Sequence, residues 1–280
     1  MNNGLAYSVL MPLAPWEPPA QVAVALASLR NQTLPPAEVV VSCDGAPPKA
    51  LMDVLGAEPF PLELLIGPGS EGVGPVLDRG LAHCRYELVV RADADDISHP
   101  ERCVTQVMWM SQHPELSAMG CTIAEFVDNP EQPIGRRWVP ADGPSIARMA
   151  NSRNPLNHPS VILRRSAVLA VGSYRSVAGF EDYDLWLRLL AAHGCESLAN
   201  LCQTLVSARV GAAHLRRRHG LRYALAEASF FYSCGRQDLL PWWSVWRAVL
   251  MRFPLRLLPS GLLARVVKSF TRKPMRQSGL

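Results

Sequence analysis

Residues 87–96 read ELVVRADADD. A short run, Leu88-Val89-Val90, leads into Arg91 and then three aspartates, Asp93, Asp95 and Asp96. A run that is apolar on both faces belongs to a strand covered on both sides, as in a parallel sheet packed between helices. Acids gathered where such a strand ends point to a ligand edge, because open α/β sheets bind ligands beyond the carboxyl ends of their strands.

The same pattern recurs outward from this stretch. Strands are expected over 7–13, 38–43 (with Val39-Val40-Val41), 62–66 and 86–91. Helices are expected between them, over 20–31, 47–55 and 74–84. This alternation predicts an α/β fold, a doubly wound and mostly parallel sheet with helices on both faces. A helix over 100–113, a strand over 160–164, a short helix after Ser166 and a stronger helix over 182–192 follow. "NPEQPIG" and "VPADGP" read as turn-rich interruptions, and from Ala213 the chain reads as helices broken at Pro241, Pro254 and Pro259.

At 280 residues, with 49% hydrophobic and 19% charged content, the chain can bury a substantial core. Its seven cysteines form neither a CxxC pair nor a Cys/His metal spacing, so they are expected as buried free thiols in a reducing compartment. "AYSVLMPLAPW" near the start is short and broken by prolines, so neither a signal peptide nor a membrane-spanning helix is expected there. The net charge of +4 is uneven: from Leu239 onward there are eight basic residues and no acid, which leaves the first 238 residues at −4.

Three places carry candidate chemistry. Asp44, in "VVVSCDGA", follows the second strand; the ordinary alternative is a turn aspartate. Asp93 and Asp95 repel each other unless a cation sits among them, and a hard divalent ion, Mg²⁺ or Mn²⁺, answers that with one or two carboxylates. Asp96 is expected to cap the local turn. In "GFEDYDLWLRLL", Tyr183, Trp186, Leu187 and Leu190 form one apolar helical face, with Glu181 and Asp182 at the helix start. Asp182 is either a helix cap or a carboxylate kept ionised as a general base. Asp184 and Arg188, at i and i+4, are expected as a solvated ion pair. Asn154, Asn157 and His158 stand between prolines on a rigid loop, where a histidine is more often structural than catalytic.

Taken together, "SLRNQTLPPAEVVVSCDG", "ELVVRADADDIS", "RNPLNHPSVILRRSAVLAVGSY" and "FEDYDLWLRLL" resemble the inverting family 2 glycosyltransferases of GT-A fold, in the branch of amylovoran-type and other bacterial surface-polysaccharide sugar transferases. The resemblance covers residues 5–210 and touches the tail. It implies a GT-A catalytic domain over 1–212, with a nucleotide-sugar half (1–98) and an acceptor half (99–212), and a helical basic extension over 213–280. It also implies a nucleotide-sugar donor, a glycan or lipid-linked glycan acceptor, and a Mn²⁺ or Mg²⁺ cofactor. Asp44, Arg91 and Asp93 would contact the donor and Asp95 the metal. Asp182 would be the catalytic base, with Glu181 and His158 on the acceptor side. Glu71 stands where the family usually has asparagine, and Glu17 matches the family's first acid only loosely.

Two other classes compete. Nucleotidyl transfer would want a glycine-rich phosphate loop after the first strand, where this chain has "PLAPWEP"; a non-catalytic nucleotide-sugar-binding protein would not need Asp182. In the tail, Trp242, Trp243 and Trp246 stand among aliphatics and arginines. That composition predicts peripheral contact of 239–280 with an anionic membrane at the inner, cytoplasmic face, the alternative being helices packed on the catalytic domain. Aromatics clustered with aliphatics argue against nucleic acid.

Overall fold

Four parallel strands, β1 (Tyr7–Leu13), β2 (Glu38–Cys43), β3 (Leu62–Ile66) and β4 (Leu88–Arg91), stand in the order β3-β2-β1-β4. The computed structural model describes residues 5–177, 179–211 and 220–257. Helices α1 (Pro19–Arg30) and α2 (Lys49–Gly56) bury Leu26, Leu29, Leu51 and Leu55 against one face of the sheet, together with Val9, Met11 and Val41. Helix α3 (Val73–His83) buries Leu77 and Leu81 on the other face, against Leu10, Val40 and Val89. The chain thus winds one way from β1 to β3 and the other way into β4. The order reverses between β1 and β4, and a crevice opens at such a point beyond the strand ends.

The same sheet continues through β8, β6, β9 and β5, with β7 paired to the side of β6. These are β5 (Ile97–Ser98), β6 (Ala118–Phe126), β7 (Gly135–Arg137), β8 (Ile162–Arg164) and β9 (Leu198–Arg209). Strand β8 runs antiparallel to β4 and β6, β9 parallel to β6, and β5 antiparallel to β9. Helices α4 (Arg102–Gln112), α5 (Gly143–Ala150), α6 (Arg165–Ala170) and α7 (Glu181–His193) complete the two layers. The mixed, mostly parallel α/β architecture matches the expectation.

Several elements escaped the sequence pattern. Strand β6 is buried at all nine positions, yet its sequence, AMGCTIAEF, holds small and helix-favouring residues rather than a β-branched run. Strand β9 is irregular, and its pairing with β6 slips twice around Thr122, which breaks the alternation of faces. "VPADGP" is more than a turn: the Asp142 carboxylate accepts from the Ser145 amide at 2.8 Å and starts α5. All seven cysteines are free, but Cys202 is exposed and Cys195 only partly buried.

Two helices, α8 (Leu221–Arg236) and α9 (Trp242–Arg256), form a hairpin against α7. Pro241 separates them as expected, whereas Pro254 lies inside α9. It falls in the last turn, where the carbonyl it leaves unpaired belongs to exposed Leu250. The expected break at Pro259 and the basic residues Arg265, Lys268, Arg272, Lys273 and Arg276 lie outside the described residues.

Helix α7 is buried on more than the one face expected. Leu185, Trp186 and Leu189 pack toward the sheet, while Tyr183 and Leu187 pack on the hairpin, where Phe180 stacks on Phe230 at 4.7 Å. The Asp184–Arg188 pair is therefore not solvated. Both residues are buried, and Arg188 donates to Asp184 at 2.8 Å and to the Val171 and Ser173 carbonyls at 2.6 Å each. Arg188→Met leaves a buried carboxylate and two carbonyls without partners. It is expected to cost about 3–5 kcal/mol in urea unfolding, and Asp184→Leu combined with Arg188→Met less than the single change.

Candidate active site

The reversal of strand order brings the ends of β1 and β4 side by side. At the end of β4 the Arg91 guanidinium is buried, with Nη1 donating to Asp93 Oδ2 at 2.6 Å and Nη2 paired with Oδ1. Carboxylate oxygens of Asp93, Asp95 and Asp96 lie within 4.8 Å of one another. Asp96 does accept a backbone amide, though not from its own turn as expected: the donor is the Arg209 amide on β9, at 2.7 Å. Burial, then the charges of Asp93 and Asp95, hold the Asp96 carboxyl well above the usual range. Asp95 is pushed up to about 6 by burial, then by Asp93 and by Glu17 from the segment after β1.

Arg91 thus neutralises one acid of a crowded set. Asp93 is tied to Arg91 and Asp96 to the Arg209 amide; Asp95 is bound to neither and is best placed to offer an oxygen to a cation. Oxygen donors that retain protons for lack of positive charge suit a hard divalent ion. Beneath them lies Arg102, almost fully buried, which donates to the Arg91 carbonyl at 2.6 Å, Ser98 Oγ at 2.9 Å and Gln106 Oε1 at 3.1 Å. Sequence reasoning missed Arg102. The available signal was a basic residue in the first turn of a helix, where it opposes the macrodipole.

Asp44, at the end of β2, accepts from the Glu71 amide at 2.9 Å and the Gly72 amide at 3.3 Å. Arg79 bonds Glu71 at 2.6 Å and the Cys43 carbonyl at 2.8 Å, so the glycine-rich loop is held against β2 from both sides. Gly74, just beyond, lies close against the segment before α7, since a Cβ there would stand 2.3 Å from the Arg175 carbonyl oxygen.

The second acidic set opens α7. Phe180, not Asp182, occupies the cap position. Within the first turn, Asp182 Oδ1 accepts from the Tyr183 amide at 2.8 Å and Oδ2 from Asn154 Nδ2 at 2.5 Å. Both bonds, and the helix N-terminus, favour the ionised carboxylate. His158 lies in a 3₁₀ turn, buried, with Nε2 3.1 Å from Tyr174 Oη and Nδ1 3.9 Å from Asp182. Burial, then the Arg91 charge, pushes its imidazole well below the ordinary value, so it is neutral and its approach to Asp182 is not an ion pair. Burial raises Tyr174 above the ordinary phenol range. Glu181 is raised by burial and then by Asp182.

Arg91's charge acts on Asp93 and Asp96 and also on Tyr174, His158 and Glu181, so both acidic sets lie within reach of one buried cation. Tyr174 carried no periodic signal, and Asn154 was noticed only as part of a rigid loop. One set offers oxygens to a cation, which could in turn hold an anion; the other offers an oriented carboxylate to a proton.

Residues 16–172 match the family described as Glycosyl transferase family 2. The chain is 34% identical over 227 residues to the amylovoran biosynthesis glycosyltransferase AmsE of Erwinia amylovora, across 80% of this chain and 84% of that one. It is 30% identical over 274 residues to the UDP-Gal:alpha-D-GlcNAc-diphosphoundecaprenol beta-1,3-galactosyltransferase of Escherichia coli, across 95% and 97%. A mannosyltransferase from Pyrobaculum calidifontis, solved with GDP-Man and Mn²⁺, superposes with a TM-score of 0.64 at 16% identity, over 95% of this chain and 76% of that one. That likeness is one of fold, and the fold is of GT-A type.

His158 also sets a pH dependence. Its folded value is depressed, so the unfolded chain takes up the proton first as pH falls. The stability it contributes is complete above the ordinary imidazole value and is lost as pH falls below it. Denaturant unfolding at pH 7 and pH 5 should show a fall that is smaller in His158→Gln.

Proposed function

The chain belongs to glycosyl transferase family 2, and on that premise we propose that it is a metal-dependent inverting transferase. It moves a sugar from a nucleotide-sugar, a UDP-sugar first among them, to a hydroxyl of a lipid-linked glycan during surface-polysaccharide assembly. The observation that carries this reading is the pair of acidic walls gathered around Arg91, one crowded and short of positive charge, the other holding Asp182 between two N–H donors. The acceptor class follows the E. coli relative, whose name gives a sugar on diphosphoundecaprenol.

Asp44 and the loop it holds take the nucleobase end of the donor. Asp93 meets the ribose. Arg91, expected as a direct donor contact, lies beneath Asp93 with both Nη atoms engaged, and acts by orienting it. A divalent cation, Mn²⁺ or Mg²⁺, held chiefly by Asp95, would neutralise the charge gathering on the donor diphosphate.

On the opposite wall, Asp182 accepts the proton of the acceptor hydroxyl as its oxygen bonds to the anomeric carbon. The bond to the diphosphate oxygen breaks on the far side, so the configuration inverts. Asn154 fixes which carboxylate oxygen faces the acceptor. His158, neutral and bonded to Tyr174, forms the wall behind Asp182 without competing for its charge, and Glu181 borders the acceptor. The lipid of such an acceptor places the enzyme at the inner membrane face. Among the described residues, no helix is long and apolar enough to cross a membrane.

Incubation with a panel of sugar nucleotides, with Mn²⁺ or with EDTA, should release a nucleoside diphosphate from one donor only when metal is present. Asp182→Asn should lower turnover by about 10²–10⁴-fold while donor binding is retained. Asp95→Ala should remove the metal stimulation. Turnover that survives Asp182→Asn would refute the assignment of the base.

A further inference from the structure

The α8–α9 hairpin has an inner and an outer side, and the sequence does not tell them apart. The inner side belongs to the protein. Val245 and Ala248 are buried against α7 and α8. Arg252 bonds buried Glu227 at 2.9 Å and the Ser152 carbonyl at 2.5 Å, and Arg256 bonds Glu227 at 2.8 Å. Two of the three arginines on α9 are therefore consumed internally.

The outer side of α9 is apolar and exposed. Trp243 is 59% exposed, Trp246 55%, Leu250 71% and Met251 63%. Helical spacing puts these on the side opposite Val245, Ala248 and Arg252. The remaining arginine, Arg247, is on this side too, its guanidinium 5.5 Å from the Trp243 ring. Rings extend the patch onto α8: Trp242 lies 6.3 Å from Trp246 and 5.6 Å from Tyr232, which is itself half exposed. Contiguous exposed rings and aliphatics of this kind mark an interaction face.

Charge selects the occupant. Arg222, Arg236 and Arg247 are exposed on the hairpin, against one exposed acid, Asp238. The chain continues beyond residue 257 with five basic residues and no acid. Tryptophan and tyrosine favour the boundary between headgroups and acyl chains, and arginines beside them meet lipid phosphates. We propose that this outer face, centred on Trp243, Trp246, Leu250 and Met251 with Arg247 at its edge, beds in the headgroup layer of an anionic bilayer.

The hairpin is fastened to the helix that bears Asp182 through Phe180, Tyr183 and Phe230. A bilayer held by the outer face is thereby fixed relative to the acceptor wall of the cleft. Only this last consequence rests on the lipid-linked acceptor reading.

The test uses the full chain and vesicles, with neither donor nor acceptor, so its failure leaves the reading of the active site standing. Wild-type protein should co-sediment with phosphatidylglycerol-containing vesicles and at least tenfold less with pure phosphatidylcholine. W243S/W246S/L250S, with an unchanged melting temperature, should bind the anionic vesicles at least tenfold more weakly. Should that variant fold poorly, tryptophan quenching of the wild type by brominated acyl chains gives the same answer. Equal binding by variant and wild type, no quenching, or a dimer in light scattering that this variant dissociates without any vesicle binding by the wild type would each overturn the proposal.

Discussion

A guanidinium taken out of water must be compensated where it lies, and in this protein Arg91 is that group. Its side chain closes on Asp93, its amide donates to the Val161 carbonyl at 2.9 Å, and its own carbonyl receives Arg102. Two buried arginines therefore share one strand end. Neither is paired with Asp95, and Asp96 is satisfied by a backbone amide. The outcome is a loop in which two buried guanidinium groups underlie three crowded carboxylates, at the point where the strand order reverses. After burial, the same guanidinium helps to keep His158 neutral. One buried cation thus acts on both acidic sets.

How much of this was legible follows from what each residue answers to. Strands β1, β2 and β4 were legible because they are almost wholly buried, and an apolar run records that directly; β3, at the sheet edge, is half exposed and showed itself by a shorter apolar run. Strands β6 and β9 were not, because one is built of small residues and the other slips register; their burial depends on partners distant in sequence. Asp93 and Asp95 stood out because carboxylates so close together need a cation among them; Asp182 stood out only through the motif around it, since an acid at a helix start is ordinary. Arg102, Asn154 and Tyr174 did not, since their roles exist only once three separate segments meet. Asp184 and Arg188 were misread for the same cause. Their spacing is that of a surface pair, and only the packing of α6 and α8 around α7 takes them out of water.

The C-terminal hairpin shows the difference between counting charge and locating it. The excess of basic residues after residue 238 is plain in the sequence, but Glu227, seventeen residues upstream of Ser244 and deep in α8, absorbs two of them. What is left outside on α9 is aromatic and aliphatic, with Arg247 at its edge. Of the two alternatives raised for this segment, packing on the catalytic domain is seen on one side of α9, and the opposite side is the one proposed to meet a membrane.

The bond from Asp96 to the Arg209 amide spans 113 residues. A chain growing from its N-terminus completes β1 to β4 and all three acids early, yet the amide that one of those acids requires is among the last parts of the sheet to be made. Until β9 docks between β6 and β5, Asp96 has no partner from that strand and the loop lacks its anchor. Completion of the strand end is in this way tied to completion of the sheet, and a growing chain carries the three acids well before the amide that one of them binds.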